Sequence, residues 1–256
     1  MNKIICIANQ KGGVGKTTTA VNLSASLAAA EKKTLLIDGD SQGNSTSGIG
    51  ANRDHIHAAN LYRAMIGETP LGDVITSTMI PHLDLVPANQ DLIGIEVEFV
   101  GLENKESRLK TLLAELDGRY DFIVIDCPPS LGMMTINALV ASNYLIVPLQ
   151  CEYYAMEGLG YLLNTVKRVR SQWNPELDLG GILLTMFDQR NLLSHRVAAD
   201  VRQHFGSKVF HTVIPRNVRL SECPSHGLPI ILYDIKSRGA QSYLELAQEI
   251  IQGRGV

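Results

Sequence analysis

The stretch from residue 4 to residue 19 constrains the fold most, because three kinds of local structure follow one another there. Three isoleucines between residues 4 and 7 predict a buried strand. Residues 11–15, Lys-Gly-Gly-Val-Gly, predict a tight loop, and a helical pattern of small apolar residues begins at Lys16. This order is the layout of a phosphate-binding loop, in which backbone N–H groups and a helix N-terminus face an anion.

The loop departs from the standard pattern G-x-x-x-x-G-K-[ST], which requires a glycine five residues before Gly15. Gln10 occupies that position, and Lys11 precedes the paired glycines instead. The arrangement resembles the deviant phosphate-binding loop of the ParA and MinD group of ATPases, which carries a second, signature lysine. A glycine-rich turn with chance lysines is the alternative, and the register of both lysines with three glycines disfavours it.

The composition is typical of an α/β protein with a large core. Of the 256 residues, 45% are hydrophobic and only 5% are aromatic, so Leu, Ile, Val and Ala must fill most of that core. Such a core suits a parallel sheet that is covered by helices. No linker, repeat or low-complexity tract interrupts residues 1–256, and we therefore expect a single domain.

Strand-length apolar runs alternate with helical patterns, which predicts a doubly wound, mainly parallel sheet with helices on both faces. After the first strand, the predicted strands are 33–38, 83–87, 120–126, 144–149, 181–186 and 208–214. The predicted helices after the first are 56–76 with a break at 67–70, 105–117, 132–142, 155–172, 195–205 and 238–251. The polar, glycine-rich residues 39–48 predict a loop.

Acidic residues follow two of these strands, at the edge of the sheet where ligands bind in such folds. Asp38 and Asp40 end the second strand, and Asp126 ends the apolar run 120–126. Asp126 fits the Walker B motif, which supports magnesium. The alternative is that Asp126 is a helix-capping or turn residue.

The four cysteines, Cys6, Cys127, Cys151 and Cys223, lack the paired spacing of a metal site. Cys6 and Cys127 lie in or beside predicted core strands, where buried reduced thiols are expected. The sequence shows no signal peptide and no apolar run of membrane-spanning length. These features predict a cytoplasmic protein without a membrane partner.

Charge is unevenly distributed along a chain whose net charge is −3. Residues 160–240 contain 11 Lys and Arg against 6 Asp and Glu, whereas residues 1–159 contain 11 against 18. A basic C-terminal part favours a polyanionic partner, although charges that separate in sequence can still mix in space.

Further motifs extend the resemblance to the chromosomal ParA (Soj) ATPases over essentially the whole chain. They are Lys11-Gly-Gly-Val-Gly-Lys-Thr17, Gln42-Gly-Asn44, Asp126-Cys-Pro-Pro-Ser130, Gln150-Cys-Glu-Tyr-Tyr154 and Pro215-Arg-Asn-Val-Arg-Leu-Ser-Glu222. The family usually has Asp-x-Asp-Pro-Gln-Gly-Asn where this chain carries Gly39 and Ser41. We expect the chemistry to be kept at Asp40 and the loop to be more flexible.

The resemblance implies an ATP hydrolase that uses ATP and Mg²⁺. The nucleotide-binding residues that it implies are Lys11, Gly12, Gly13, Val14, Gly15, Lys16, Thr17, Thr18, Pro215 and Asn217, the last two at the adenine. Lys16 would neutralise the β- and γ-phosphates, and Lys11 would reach the partner's nucleotide across a dimer interface. Asp40 would orient the attacking water.

Magnesium would be bound by the Thr17 hydroxyl with support from Asp126, and Glu152 would lie near the dimer interface. The resemblance also implies partition of DNA together with a ParB-type centromere-binding protein. An ATP-bound homodimer would bind DNA non-specifically on the nucleoid through Arg190 and Arg219. Slow hydrolysis, stimulated by the ParB-type partner, would release the DNA.

Two other functions of the same fold remain open from the sequence. A MinD-like membrane ATPase needs a basic amphipathic C-terminal helix, but residues 244–256 are acidic rather than basic. An ATP-dependent ligase or synthetase that activates a carboxylate is the other; stimulation of the ATPase by DNA and ParB, without a small-molecule acceptor, would disfavour it. The cysteines also lack the flanks that a nitrogenase-type reductase needs for its cluster.

Overall fold

A computed structural model describes residues 2–51, 56, 58–116, 118–152 and 155–256. Seven strands within these residues form one sheet. They are β1 (Lys3–Ile7), β2 (Thr34–Asp38), β3 (Thr76–Ser77), β4 (Leu83–Val86), β5 (Phe122–Asp126), β6 (Tyr144–Gln150) and β7 (Asp178–Thr185). The order is β3-β4-β2-β5-β1-β6-β7, and every neighbouring pair is parallel except β3 with β4. The prediction of a mainly parallel sheet is confirmed.

Helices cover both faces of the sheet. In the described residues they are α1 (Lys16–Ala29), α2 (Asn44–Gly48), α3 (Leu61–Ile66), α4 (Leu71–Val74), α5 (Ile95–Glu98), α6 (Arg108–Ala114), α7 (Met133–Ala141), α8 (Ala155–Gln172), α9 (Leu192–Phe205), α10 (Val218–Glu222), α11 (Ile230–Tyr233) and α12 (Arg238–Ile251). Short 3₁₀ turns precede or follow several of them.

Alternate residues of β1 enter two different apolar clusters, one on each face of the sheet. Ile5 and Ile7 pack with residues of α1 and α12, whereas Cys6 and Ala8 pack with residues of α3, α6, α7, α8 and α9. β2 and β5 are buried at every residue. Burial on both faces explains why these strands are continuous apolar runs in the sequence.

The end of the chain packs against its first helix. The side-chain hydroxyls of Thr19 in α1 and Tyr243 in α12 are 3.2 Å apart and buried. The side chain of Asn22 donates to the carbonyl of Thr18 (2.8 Å) and accepts from the N–H of Ile230 (2.7 Å). The helix that carries the glycine loop is therefore tied directly to the last quarter of the chain.

The prediction of a strand at 208–214 is wrong. This segment runs beside β7, and the N–H groups of Phe210 and Ile214 donate to the carbonyls of Ile182 (3.0 Å) and Leu184 (2.9 Å), but the pairing is an isolated bridge rather than a continuous ladder. The N–H groups of His211 and Thr212 donate instead to the carboxylate of Glu249, at 2.9 and 3.1 Å. Because a side chain of α12 takes these donors, no continuous ladder forms.

Two other element predictions need correction. Residues 39–48 are not all loop, because α2 forms where the Asp38 carboxylate accepts from the N–H of Thr46 (2.7 Å) in its first turn. The predicted helix 56–76 is divided into α3 and α4 and ends in the antiparallel edge strand β3. Residue 57 of that prediction lies outside the described residues, as do residues 153 and 154 of the motif Gln150-Cys-Glu-Tyr-Tyr154.

All four cysteines are buried and free of disulfide bonds, as predicted for Cys6 and Cys127. A hydrogen bond with the Cys6 thiol, together with burial, holds the pKa of Cys127 well above its ordinary value. Among the described residues, no helix combines the length and the apolar character needed to cross a bilayer.

Candidate nucleotide-binding site

The loop between β1 and α1 has the backbone conformation of an anion-binding turn. Gly13 and Gly15 have φ angles of 75° and 90°, in the left-handed region that glycine tolerates best. Gly15 is the N-cap of α1, and no side chain caps this helix. Its first N–H groups are therefore open to an external acceptor at the positive end of the helix dipole.

Side chains from the flanking segments fix this loop. Asn9 donates to the carbonyl of Pro148 in β6 (2.8 Å) and accepts from the N–H of Lys11 (3.0 Å). The hydroxyl of Thr185, at the end of β7, donates to the carbonyl of Val14 (2.8 Å). The sequence analysis did not predict these two supports, because each joins segments that are far apart along the chain.

The two lysines of the loop have different surroundings. Lys16 is 7% exposed, and its ammonium group donates to the carbonyl of Lys11 (3.1 Å). Burial lowers the pKa of Lys16, and the nearby carboxylates of Asp126 and Asp40 oppose this change. Lys11 is about half exposed and forms an ion pair with Glu152.

Two fully buried carboxylates lie side by side behind the loop, because Asp38 and Asp126 are register partners at the ends of β2 and β5. Asp38 accepts from the N–H and the hydroxyl of Thr46, both at 2.7 Å, and Asp126 accepts from the hydroxyl of Ser45 (2.8 Å). Burial raises the pKa of both carboxyls, and the neighbouring acids raise it further. The sequence analysis missed Ser45 and Thr46.

Asp40 lies in a compact turn after β2. Its N–H donates to Asp38 (3.2 Å), and its carboxylate accepts from the N–H of Gln42 (3.0 Å). A Cβ atom at Gly39 would lie 2.6 Å from the carbonyl oxygen of Asp126, so the close approach of two backbones requires glycine there. This is a packing reason for Gly39, and the expected flexibility of the loop stays a prediction.

The residues around Asp126 fit a magnesium ion that shares its ligands with phosphate groups. Oδ1 of Asp126 is buried without a hydrogen-bond partner among the described residues. The Thr17 hydroxyl is close enough to lower the pKa of Asp126 by hydrogen bonding. No three His, Cys, Asp or Glu side chains of the described residues form a metal site by themselves. Phosphate oxygens and water would therefore supply the remaining ligands, as is usual for Mg²⁺.

Pro215 and Asn217 lie at the same edge of the sheet as the loop. Pro215 forms a bridge with Phe187, two residues beyond the Thr185 that supports the loop. The side-chain oxygen of Asn217 caps α10 by accepting from the N–H of Leu220 (3.4 Å). Neither residue lines the cavity of about 440 Å³ beside Thr17 and Thr18.

The two arginines implied in DNA binding are both at the surface. Arg190 is exposed in the turn after β7, where its N–H donates to the side chain of Asp188 (2.9 Å). Arg219 is on α10, and its guanidinium group forms ion pairs with Glu222 and Asp234. The sequence analysis did not anticipate these acidic partners.

Known proteins of high identity to this chain include ParA and Soj proteins. A family model described as an AAA domain matches residues 2–179. The chain is 53% identical over 252 residues to the chromosome partitioning protein ParA of Myxococcus xanthus, with 98% of this chain and 89% of that protein covered. It is 52% identical over 250 residues to the sporulation initiation inhibitor protein Soj of Bacillus subtilis, with 98% of each covered.

A solved structure extends the likeness to another named activity. The cobyrinic acid a,c-diamide synthase of Mycobacterium smegmatis, with bound ADP and magnesium, has a TM-score of 0.86 and 36% sequence identity. The match covers 98% of this chain and 95% of that one. The sequence identity between this chain and the synthase is well below the identity between this chain and the partitioning proteins.

A mainly parallel sheet, a glycine loop that carries two lysines and acids at the adjacent strand ends define a P-loop ATPase of the deviant type. Sequence identities above 50% to ParA and Soj, over nearly the whole chain, narrow the assignment from this class of ATPase to one family. The chain belongs to the ParA/Soj family of chromosome-partitioning ATPases. The resemblance seen in the sequence motifs is thereby confirmed.

Proposed function

We propose that this chain binds ATP and Mg²⁺, forms a homodimer in the ATP state and binds DNA without sequence preference on the bacterial nucleoid, in the cytoplasm. A ParB-type partner stimulates its slow ATPase and so releases the DNA. The observation that carries the proposal is a glycine loop with two lysines, in which the buried Lys16 lies near Asp40 and Asp126. Cations on such a loop suit a phosphate-bearing ligand, and the carboxylates suit its magnesium ion and the attacking water.

The loop binds the phosphates with its backbone and with Lys16. N–H groups from Gly12 to Thr18 face the phosphate oxygens, and the buried Lys16 ammonium exchanges its bond to the Lys11 carbonyl for the β- and γ-phosphates. The Thr17 hydroxyl, with support from Asp126, would hold magnesium, which would neutralise charge at the phosphates. Pro215 and Asn217 contact the adenine.

Hydrolysis requires a positioned water and extra positive charge at the γ-phosphate. Asp40 accepts a hydrogen bond from the attacking water, and its turn is fixed by contacts to Asp38 and Gln42. Lys11 of the partner subunit approaches the γ-phosphate, where charge develops in the transition state. The site is thus completed by dimerisation.

DNA binding is assigned to the basic C-terminal part, through Arg190 and Arg219. We further propose that residues 1–256 act as one domain. The AAA-domain match ends at residue 179, but α12 and α11 beyond it pack on and bond to α1. These contacts support a single domain in which the helix of the glycine loop is joined to the C-terminal part of the chain.

Two competing functions receive less support. The apolar face of α12, which includes Tyr243, Leu246 and Ile250, is buried against the rest of the protein, so a MinD-like use of this helix on a membrane would require its release. The likeness to a diamide synthase favours carboxylate activation as a second candidate. ATP turnover that depends on a small carboxylic acid and an amide donor, and not on DNA and ParB, would support that candidate.

The proposal is tested by light scattering and by DNA binding with ATPγS, ADP or no nucleotide. We expect a dimer with ATPγS and Mg²⁺ only, and affinity for duplexes of unrelated sequence only in that state. A peptide from the N-terminus of a ParB-type protein should accelerate phosphate release from ATP when DNA is present. A monomer that binds no DNA with ATPγS would contradict the proposed function.

A further inference from the structure

The guanidinium group of Arg219 is held by two carboxylates. Its Nη1 lies 2.9 Å from Oε2 of Glu222 on the same helix, and its Nε lies 3.5 Å from Oδ2 of Asp234, which follows α11. The Arg219 side chain is nevertheless 54% exposed. The cation can therefore be reached by an external anion, but it already interacts with two acids.

Both acids of an otherwise basic segment are concentrated on this one arginine. In residues 216–238, four residues are basic (Lys or Arg) and two are acidic, namely Glu222 and Asp234. Because both contact Arg219, the charge next to it is negative on balance. The remaining cations of the segment, Arg216, Lys236 and Arg238, are exposed.

The acids are fixed rather than mobile parts of this surface. The hydroxyl of Tyr233 lies 3.2 Å from Oε2 of Glu222, and its ring stacks on His226 with centroids 5.0 Å apart. The N–H of Ile230 donates to Asn22, which ties the helix before Asp234 to α1. The two carboxylates are therefore held where Arg219 can meet them.

We propose that Glu222 and Asp234 set the affinity of the DNA-binding surface by competing with DNA phosphates for Arg219. This inference rests on the proposed function, which assigns Arg219 to that surface. A phosphate at Arg219 must displace one or both carboxylates or bind beside them, and either event weakens the contact. Stable binding then requires many weak contacts at once, and a dimer supplies twice as many as a single chain.

An opposite role for the acids makes an opposite prediction. If Glu222 and Asp234 served to orient Arg219 toward DNA, their removal would lower the affinity. An increase in DNA affinity after removal of the acids therefore indicates competition, and a decrease indicates that the acids position Arg219. The amide variants Glu222→Gln and Asp234→Asn keep the size of each side chain and remove only its charge.

The test compares the affinity of the wild-type protein and its variants for a duplex of arbitrary sequence, with ATPγS and Mg²⁺. Glu176→Gln is the matched control, because Glu176 is exposed at the opposite edge of the sheet, before β7. Glu222→Gln and Asp234→Asn should each bind about two- to ten-fold more tightly than the control, since exposed ion pairs are weak and the dimer has two copies. In an Arg219→Ala protein, Glu222→Gln should give no gain beyond that of Glu176→Gln.

Three outcomes would overturn the inference. Equal or weaker binding by both amide variants, in a protein whose Arg219→Ala variant loses affinity, would refute competition and leave the proposed function intact. A gain from Glu222→Gln that persists without Arg219 would show a general charge effect. Absence of DNA binding by the wild-type protein with ATPγS would contradict the proposed function and this inference together. Thermal unfolding of each variant checks that the fold is unchanged.

Discussion

Lys11 and Glu152 form an ion pair within one chain, although they lie 141 positions apart. Glu152 also accepts from the side chain of Gln150 (2.6 Å), which holds the acid beside the loop. The side chains are 43% and 47% exposed, so solvent screens the pair and its energy is small. Under the proposed function, Lys11 must leave Glu152 before it can reach a partner's nucleotide.

The first prediction concerns this exchange. Glu152→Gln should strengthen the ATP-dependent dimer by about two- to five-fold, because Lys11 no longer gives up an ion pair when it crosses the interface. Light scattering over a protein concentration series with ATPγS measures this. Glu157→Gln is the matched control, since Glu157 is exposed at the start of α8. A weaker dimer in Glu152→Gln would mean that the acid itself serves the assembled interface.

The second prediction concerns Asp40. Asp40→Ala should keep ATP binding and dimerisation but lower the hydrolysis rate by about a hundred-fold or more, because no carboxylate then orients the attacking water. Phosphate release in single-turnover reactions measures the loss, and nucleotide affinity serves as the control. Asp73→Ala, which removes an exposed acid from α4, is the control for loss of a charge elsewhere. Normal turnover in Asp40→Ala would remove this residue from the mechanism.

The third prediction concerns Gly12. A Cβ atom at this position would meet no other atom within 4 Å, so the single chain has room for a side chain there. Gly12→Val should therefore leave folding and ATP binding intact while it prevents the close approach of two loops in the dimer. The expected result is a monomer with ATPγS at concentrations where the wild-type protein is dimeric. Detection of a normal dimer would place Gly12 away from the interface.

The fourth prediction concerns pH. Burial, followed by the charge of Asp38, raises the pKa of Asp126 above its unfolded value, so the folded protein binds this proton more tightly than the unfolded chain. The nucleotide-free protein should therefore lose stability as the pH rises from about 4 toward neutrality. Magnesium competes with the proton, so the stabilisation by Mg²⁺ and ATPγS should increase over the same interval.

Thermal unfolding at several pH values, with and without Mg²⁺ and ATPγS, measures both slopes. Asp126→Asn should flatten the dependence in the nucleotide-free protein, whereas Asp121→Asn, at the exposed residue that precedes β5, should not. Equal slopes in wild type and Asp126→Asn would show that another group controls the pH dependence.

Local patterns were sufficient to predict much of the fold. Helix 238–251 has the predicted bounds, because its apolar positions repeat at helical spacing and a serine caps it. The segment 208–214 has an equally apolar pattern, but the carboxylate of Glu249 takes two of its N–H groups. A competing acceptor 37 or 38 residues away leaves no trace in the local sequence.

In the candidate site, too, some residues could be predicted from the sequence and others could not. The glycine loop and Asp126 could be identified because their residues are contiguous or end an apolar run. The supports could not, since Thr185 reaches Val14 across 171 positions and Ser45 reaches Asp126 across 81. The sequence analysis did not predict the acids around Arg219. Asp234 follows α11, whereas Arg219 lies on α10, so the two residues are not neighbours in the local sequence.

The bond from Asn22 to Ile230 and the contact of Thr19 with Tyr243 have a consequence for how this family can diverge. The start of α1 continues the glycine loop, and the rest of α1 packs against the C-terminal end of the chain. The residues of α1 are therefore constrained by two different neighbours. Exchange of residues 215–256 between two relatives should therefore succeed only when the facing positions of α1 are exchanged with them. We therefore expect the facing residues of α1 and α12 to change together among relatives.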